Sequence, residues 1–164
     1  MKAVVLSDSH GKPHNMRLAL RKHPDADICF FLGDGLKDLD KVAWMFPKVA
    51  FLTVAGNCDW YTEGLEKEAV FVMEGRRVLY LHGHTAFVKS GIGGAIAMAR
   101  RLDADVLLYG HTHEPYEGCD TQGEKPLYIM NPGSIGESFG GRPHYGILDI
   151  RENGILLSHG TVDG

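Results

Sequence analysis

Side chains able to bind metal recur along this chain in five short clusters. They are Asp8-Ser9-His10, Gly33-Asp34-Gly35, Gly56-Asn57-Cys58-Asp59, His82-Gly83-His84 and Gly110-His111-Thr112-His113. The donors are imidazole nitrogens and carboxylate or amide oxygens, with no second thiol nearby. That set suits Mn, Fe, Ni or Zn better than a Cys-rich structural zinc site or an all-oxygen calcium site. Asp8, His10, Asp34, Asn57, His82, His111 and His113 make seven candidates, more than one tetrahedral ion needs. Two divalent ions sharing one carboxylate would use them. A pair roughly 3.5–4 Å apart can clamp a phosphoryl group and generate hydroxide near neutral pH.

The elements that must carry these clusters follow from the apolar pattern. Short apolar or β-branched runs at 2–7, 28–32, 49–54, Arg76–Leu81 and 105–109 read as strands, and each leads directly into one of the five clusters. Segments 13–23 and 36–46 read as helices, the first with Pro13 in its opening turn and the second stopped by Pro47. This βαβαβ order predicts a parallel sheet with right-handed crossovers. In open α/β sheets ligands bind beyond the carboxyl ends of the strands, so parallel neighbours would bring the clusters to one sheet edge. Residues 69–73 and Arg76–Leu81 flank Glu74-Gly75 and predict a hairpin. A third helix is expected over 90–101, with Ser90 as its N-cap. Shorter strands are expected at 127–130, 145–150 and 155–158, giving one domain with a parallel half and a more antiparallel half.

Composition narrows the class. A chain of 164 residues, 44% hydrophobic and 23% charged, can bury a core as one globular domain. Its net charge of −4 and lack of a Lys/Arg run argue against nucleic acid as a partner. Cys29, Cys58 and Cys119 form no CxxC pair, which suits a reducing compartment. No apolar stretch approaches the roughly 20 residues of a membrane span, and the first residues are too short for a signal sequence. A cytoplasmic location, without membrane, is the expectation.

The series D-x-H, G-D, G-N-x-D, H-G-H and G-H-T-H, in this order, resembles the calcineurin-like metallophosphoesterase superfamily. Gly56-Asn57-Cys58-Asp59 and Asn131-Pro132-Gly133-Ser134 resemble its YfcE-like phosphodiesterase branch, and the likeness runs from Asp8 to about Asp149. The resemblance implies an α/β fold, a four-layer α/β/β/α sandwich with mixed sheets, as a single domain over 1–164. It implies two divalent ions, Mn²⁺ first, with Zn²⁺, Ni²⁺ or Fe as alternatives. Asp8, His10, Asp34 and His113 would hold one, and Asp34, Asn57, His82 and His111 the other, with Asp34 bridging. A metal-bridging hydroxide would attack phosphorus in line. Catalytic roles fall to Asn57, to His84 as a neighbour contacting substrate, and to Cys58, which stands where many relatives have histidine. A thiol is a weak donor, so slower turnover and dependence on good leaving groups are expected.

The implied partner is a small phosphoester, favoured as a diester. A phosphomonoesterase acting on a nucleotide or small metabolite is the nearest alternative, and a Vps29-like non-catalytic scaffold is the alternative from another class. A homo-oligomer stays open, since no interface is legible.

Other features carry two readings each. Asn131-Pro132-Gly133-Ser134 is a rigid turn or brings Ser134 or Arg142 to substrate. Gly91-Ile92-Gly93-Gly94 lacks the following Lys-Ser/Thr of a phosphate loop and reads as a helix entry. Asp38 and Asp59 orient ligands or are solvated. Trp44, Met45 and Phe46 read as core, while Trp60 and Tyr61 line a substrate pocket or cover an oligomer contact. His14, His23, His144 and His159 read as solvent-facing or structural, with Arg142-Pro143-His144 lying beyond the Asn-Pro-Gly turn.

Overall fold

The computed structural model describes residues 1–60, 64–137 and 141–162, so Tyr61 lies outside the described residues. Ten strands and three α-helices follow in the order β1 (Lys2–Leu6), α1 (Pro13–Lys22), β2 (Ile28–Phe31), α2 (Leu36–Val42), β3 (Ala50–Thr53), β4 (Glu68–Met73), β5 (Arg76–Leu81), α3 (Gly93–Arg101), β6 (Val106–Leu108), β7 (Tyr116–Asp120), β8 (Leu127–Asn131), β9 (His144–Arg151) and β10 (Gly154–Thr161). They form two five-stranded mixed sheets, ordered β10-β9-β1-β2-β3 and β4-β5-β6-β8-β7. In the first, β1, β2 and β3 are parallel; in the second, β5, β6 and β8 are parallel.

Strand alternation builds the layers. Ala3 and Val5 face one way from β1, with Ile28 and Phe30 from β2, and meet Val78, Tyr80, Val106 and Leu108 of the second sheet. The intervening Val4, Leu6, Cys29 and Phe31 face the other way, against Met16 and Leu20 of α1 and Leu39 and Val42 of α2. Leu79, Leu81 and Leu107 of the second sheet turn outward onto Ala95 and Ala99 of α3. The result is the expected α/β/β/α sandwich. Each fully buried large apolar side chain contributes about 1.5–3 kcal/mol. Between the sheets Phe30 meets Tyr80 edge-on, ring centroids 5.0 Å apart.

Several sequence expectations need correction. The five clusters meet at one edge of the sandwich, but from two sheets: β1, β2 and β3 in the first, β5 and β6 in the second. The second helix stops at Val42, and Ala43–Met45 tighten into a 3-10 turn. Trp44 on that turn is 74% exposed, not core, its indole N–H donating to the Lys41 carbonyl. The third helix starts at Gly93 without a side-chain cap, and Ser90 ends a separate 3-10 turn, Val88–Ser90. Strand β7 was not expected from Tyr116-Glu117-Gly118-Cys119-Asp120. The Glu74-Gly75 hairpin is as expected, with φ of 50° and 74° matching the paired positive φ of a type I′ turn. No described helix is long and apolar enough to cross a membrane.

Candidate metal centre

Register brings the clusters level. Leu6 pairs with Phe31 across β1 and β2, and beyond the strand ends the Asp8 amide donates to the Gly33 carbonyl and the His10 amide to the Asp34 carbonyl, at 3.0 and 3.3 Å. In the second sheet the Gly110 amide donates to the His82 carbonyl at 2.9 Å. The sheets are then tied to each other at this edge. The His111 amide donates to Asp8 Oδ2 at 3.1 Å, and His82 Nδ1 donates to the Leu32 carbonyl at 2.7 Å. Glycine permits the approach: a Cβ at Gly56 would collide with the Asp34 carboxylate, and one at Gly110 with Ser7 and Asp8.

All seven candidate ligands converge. His113 Nε2, His10 Nε2 and His82 Nε2 lie 3.2, 3.5 and 3.8 Å from Asp8 Oδ1. Asp34 Oδ2 lies 3.2 Å from His82 Nε2 and 3.9 Å from His10 Nε2. His82 Nε2 also faces Asn57 Oδ1 at 3.0 Å and His111 Nδ1 at 3.1 Å. Ligand atoms gather within 4.8 Å of one another in three groups: Asp8, His10 and His113; Asp34, His82 and His111; and His10, Asp34 and Cys58. The first two groups match the two expected sets, less Asn57 and with Asp34 counted once. The third brings in Cys58 Sγ, which was not expected among the ligands.

Does this set fit a pair of cations? Asp8 Oδ1 is buried and has no hydrogen-bond partner, although three imidazoles surround it. His10 Nε2 and His113 Nε2 face each other at 3.3 Å, so a proton or a cation must lie between their lone pairs. His82 spends its Nδ1 proton on the Leu32 carbonyl, which leaves the Nε2 lone pair toward the site. His113 Nδ1 lies 3.2 Å from Glu137 Oε2, an arrangement that orients the ring in the same way. Carboxylate and imidazole donors so disposed fit divalent cations of the Mn, Fe, Ni or Zn type.

Electrostatics say the same. Burial pushes the Asp8 carboxyl up, but the nearby imidazoles of His10, His113 and His82 and the Ser7 hydroxyl hold it well below the carboxylate range. Burial likewise opposes ionisation of Asp34, and His82 and the Cys58 amide outweigh it. Asp8 raises His10 and His113. Burial lowers His82, but Asp34 and Asp8 raise it further. Burial and His82 push His111 down to about 4 and also lower His84. Burial and Asp34 push the Cys58 thiol up. The centre is two ionised carboxylates whose charge raises His10, His82 and His113 while His111 is pushed down, and cations in place of protons would answer the same carboxylates.

A supporting shell surrounds it, and parts of it were not legible. Asp59 accepts backbone N–H groups from Asp34, Gly35, Leu36 and Gly56, at 2.7, 2.9, 3.0 and 2.8 Å. Asp38 accepts the Ser9 hydroxyl and the Gly11 amide. Ser7 donates to Asp8 Oδ2 at 2.5 Å. Asn131 Nδ2 donates to Thr112 Oγ1 and the Gly110 carbonyl, so the Asn-Pro-Gly turn holds the His111–His113 loop. Ser134 is buried, donating to the Asp8 carbonyl and accepting from Gly136 and Glu137, which corrects the substrate-contact reading. Arg142 is exposed. Ser7 and Glu137 were missed; Ser7 adjoins the first cluster, while nothing in the sequence marks Glu137. His84 lies beside His82, ring centroids 5.4 Å apart and planes tilted by 58°, with its Nδ1 buried and unpartnered. His23 and His159 bond to Tyr145 and the Asn131 carbonyl, and His14 to Arg17, away from the centre. His144 opens β9, pairing with Thr161, with its Nδ1 buried and unpartnered.

Comparison with known proteins agrees. The profile of the calcineurin-like phosphoesterase superfamily domain matches residues 1–153. The phosphodiesterase YfcE of Escherichia coli K12 is 31% identical, over 91% of this chain and 88% of its own. A crystal structure of a predicted phosphoesterase from Streptococcus pneumoniae TIGR4 superposes with a TM-score of 0.82 at 24% identity, covering 99% of this chain and 90% of that one. Vps29 from Entamoeba histolytica superposes at 0.73 with 19% identity, covering 98% and 99%. At such identities the structural likeness concerns the fold.

Proposed function

The chain belongs to the calcineurin-like phosphoesterase superfamily, and we propose that it is a phosphodiesterase using two divalent cations, Mn²⁺ first among the candidates. The observation that carries this reading is Asp8 Oδ1, buried without a hydrogen-bond partner among three imidazole nitrogens at 3.2–3.8 Å. Asp8, His10, Asp34 and His113 would hold one cation and Asp34, Asn57, His82 and His111 the other. When bound, such a pair supplies positive charge to the phosphoryl oxygens and makes water a better nucleophile near neutral pH.

The chain's own residues do the remaining work. Asp34 faces both groups, and the Cys58 amide donating to its Oδ1 at 2.7 Å leaves Oδ2 for the shared position. His84, lowered by burial and by His82, stays neutral and offers a ring N–H to a phosphoryl oxygen. Asn57 presents Oδ1 to His82 while its Nδ2 donates to Cys58 Sγ at 3.4 Å, which orients the amide. Cys58 remains a protonated thiol, a weak donor and not a nucleophile. A cavity of about 290 Å³ opens beside His10, Asp34 and Cys58 and gives a second substituent on phosphorus a place, which favours a diester.

The test is hydrolysis of bis-p-nitrophenyl phosphate and p-nitrophenyl phosphate by metal-stripped protein, before and after adding Mn²⁺. Restored activity favouring the diester is expected. Preference for the monoester would make the protein a phosphatase. Silence with every divalent metal, despite confirmed binding, would remove the catalytic reading.

A further inference from the structure

The cavity beside the centre is also lined by residues that the phosphoryl chemistry does not use. Lys37 and Lys41 stand one turn apart on α2 and line it, as does Trp60, which is 75% exposed. Neither lysine has an ion-pair partner among the described residues. Like charges at i and i+4 on a helix disfavour each other, so the side-by-side placement of the two lysines costs the helix a little. The cavity's carboxylates do not answer them. Asp34 faces the imidazoles, Asp59 is taken by four backbone amides, and Asp38 by Ser9 and Gly11. One cavity is therefore lined by His10 and Asp34 of the candidate phosphoryl site, by two uncommitted cations and by an exposed indole. Trp60 and Lys37 also line a neighbouring hollow of about 430 Å³, so there is room beside the indole for a flat group.

Ammonium groups on flexible stems bind phosphate oxygens, and an exposed indole face stacks on planar rings. Resting on the phosphoesterase reading of the adjacent centre, we infer that the substituent arm of the substrate is a nucleoside phosphate. Lys37 and Lys41 take its additional negative charge, and Trp60 stacks on its base. The substrate class is then a phosphoester or phosphoanhydride with one nucleotide arm.

Trp44 and Trp60 are the two tryptophans, and Trp44 does not line this cavity. Full-length Trp44→Phe protein loaded with Mn²⁺ therefore reports Trp60 fluorescence alone. ADP, checked for intactness after each titration, should quench it, and inorganic phosphate should not. Calorimetry of ADP and phosphate then gives both dissociation constants for this protein and for the Lys37→Gln/Lys41→Gln variant, its folding verified by circular dichroism. The preference for ADP over phosphate should fall at least tenfold in the variant. Absence of quenching, or an unchanged preference, overturns the inference. Hydrolysis of bis-p-nitrophenyl phosphate by the same preparation judges the centre separately. Hydrolysis without ADP binding sinks the nucleotide arm alone. ADP binding with no ester cleaved supports the arm and sinks the phosphoesterase reading.

Discussion

Removing the Asp59 carboxylate should damage both the fold and the centre. It gathers four backbone N–H groups, from Asp34, Gly35, Leu36 and Gly56, all within 3.0 Å. The first three open the loop carrying Asp34, and the last opens the loop carrying Asn57. In Asp59→Ala these donors lose their acceptor, at about 1–3 kcal/mol for each buried group left unpaired. Four such losses would reach the upper range only in a dry site, and Asp59 is half-buried, so water and relaxation hold the cost near ~4 kcal/mol. For a chain of this size that lowers Tm by about 8–16 °C. Asp59→Asn keeps one acceptor oxygen but turns an NH₂ toward donors, and should lose roughly half as much or more. Thermal melting checks the first claim. Calorimetric Mn²⁺ titration well below Tm checks the second, because outer partners of metal ligands are worth about 10–100-fold in affinity. A Tm within about 2 °C of wild type, with unchanged Mn²⁺ affinity, would refute the idea that this carboxylate sets the two loops.

Four further outcomes are expected. Asp34→Asn removes most hydrolysis of bis-p-nitrophenyl phosphate, since its carboxylate lies against both imidazole groups; near-normal turnover would rule out a shared carboxylate. Cys58→Ala keeps its metal content by elemental analysis, and Cys58→His keeps or raises turnover of esters with poor leaving groups; a strong fall in the latter would mean that proton donation is not limiting. Mn²⁺ at a hundredfold its Kd stabilises by about 2.7 kcal/mol, about 5–11 °C in a melt, and no shift would mean that the cation does not prefer the folded chain. Because His10, His82 and His113 are raised in the metal-free protein, a cation must displace their protons. Mn²⁺ affinity therefore weakens as pH falls through their titration and levels off above it, and calorimetry in buffers of differing ionisation enthalpy should show proton release; affinity independent of pH would contradict the assigned ligands.

The centre also concentrates backbone strain. Asp8, His10, Asp34, His111 and His113 all have positive φ, between 42° and 69°, and they are five of the seven candidate ligands. Left-handed backbone costs an ordinary L-residue roughly 1–2 kcal/mol, less for Asp and His than for branched side chains. Five such residues together approach the roughly 5–15 kcal/mol of net stability that a domain possesses. They persist because the surroundings over-determine them. The Asp8 carbonyl is fixed by Ser134 and the Gly136 amide, the His10 amide by the Asp34 carbonyl, and Asp34 by Asp59. This explains why the supporting residues are buried acceptors and hydroxyls rather than more core. Their task is to hold loops in conformations that the loops would leave on their own.

How much of this was legible depended on whether a residue's task shows in its neighbours along the chain. The convergence of the candidate ligands was legible because each cluster ends an apolar run, as at Leu6 before Ser7-Asp8 and Leu81 before His82. The division between two sheets came from the family resemblance and not from the apolar runs themselves. Val4 packs on a helix and Val5 on a second sheet, yet both are simply buried, so the run reads the same whatever covers each face. Strand β7 is an exposed edge strand containing Glu117, Gly118 and Asp120, paired among the described residues with β8 alone, and lacks the β-branched pattern that marks a strand. Ser90 resembles an N-cap by type, but Phe87 turns left-handed at φ 54° and diverts the chain into a 3-10 turn before the helix begins. For Asp38 and Asp59 the sequence left ligand-orienting and solvated roles side by side, because a carboxylate's donors are set by folding. Lys37 and Lys41 carry no mark in the sequence for the same reason. Their distinction is that no described carboxylate lies within ion-pair reach, and only the packed structure shows that.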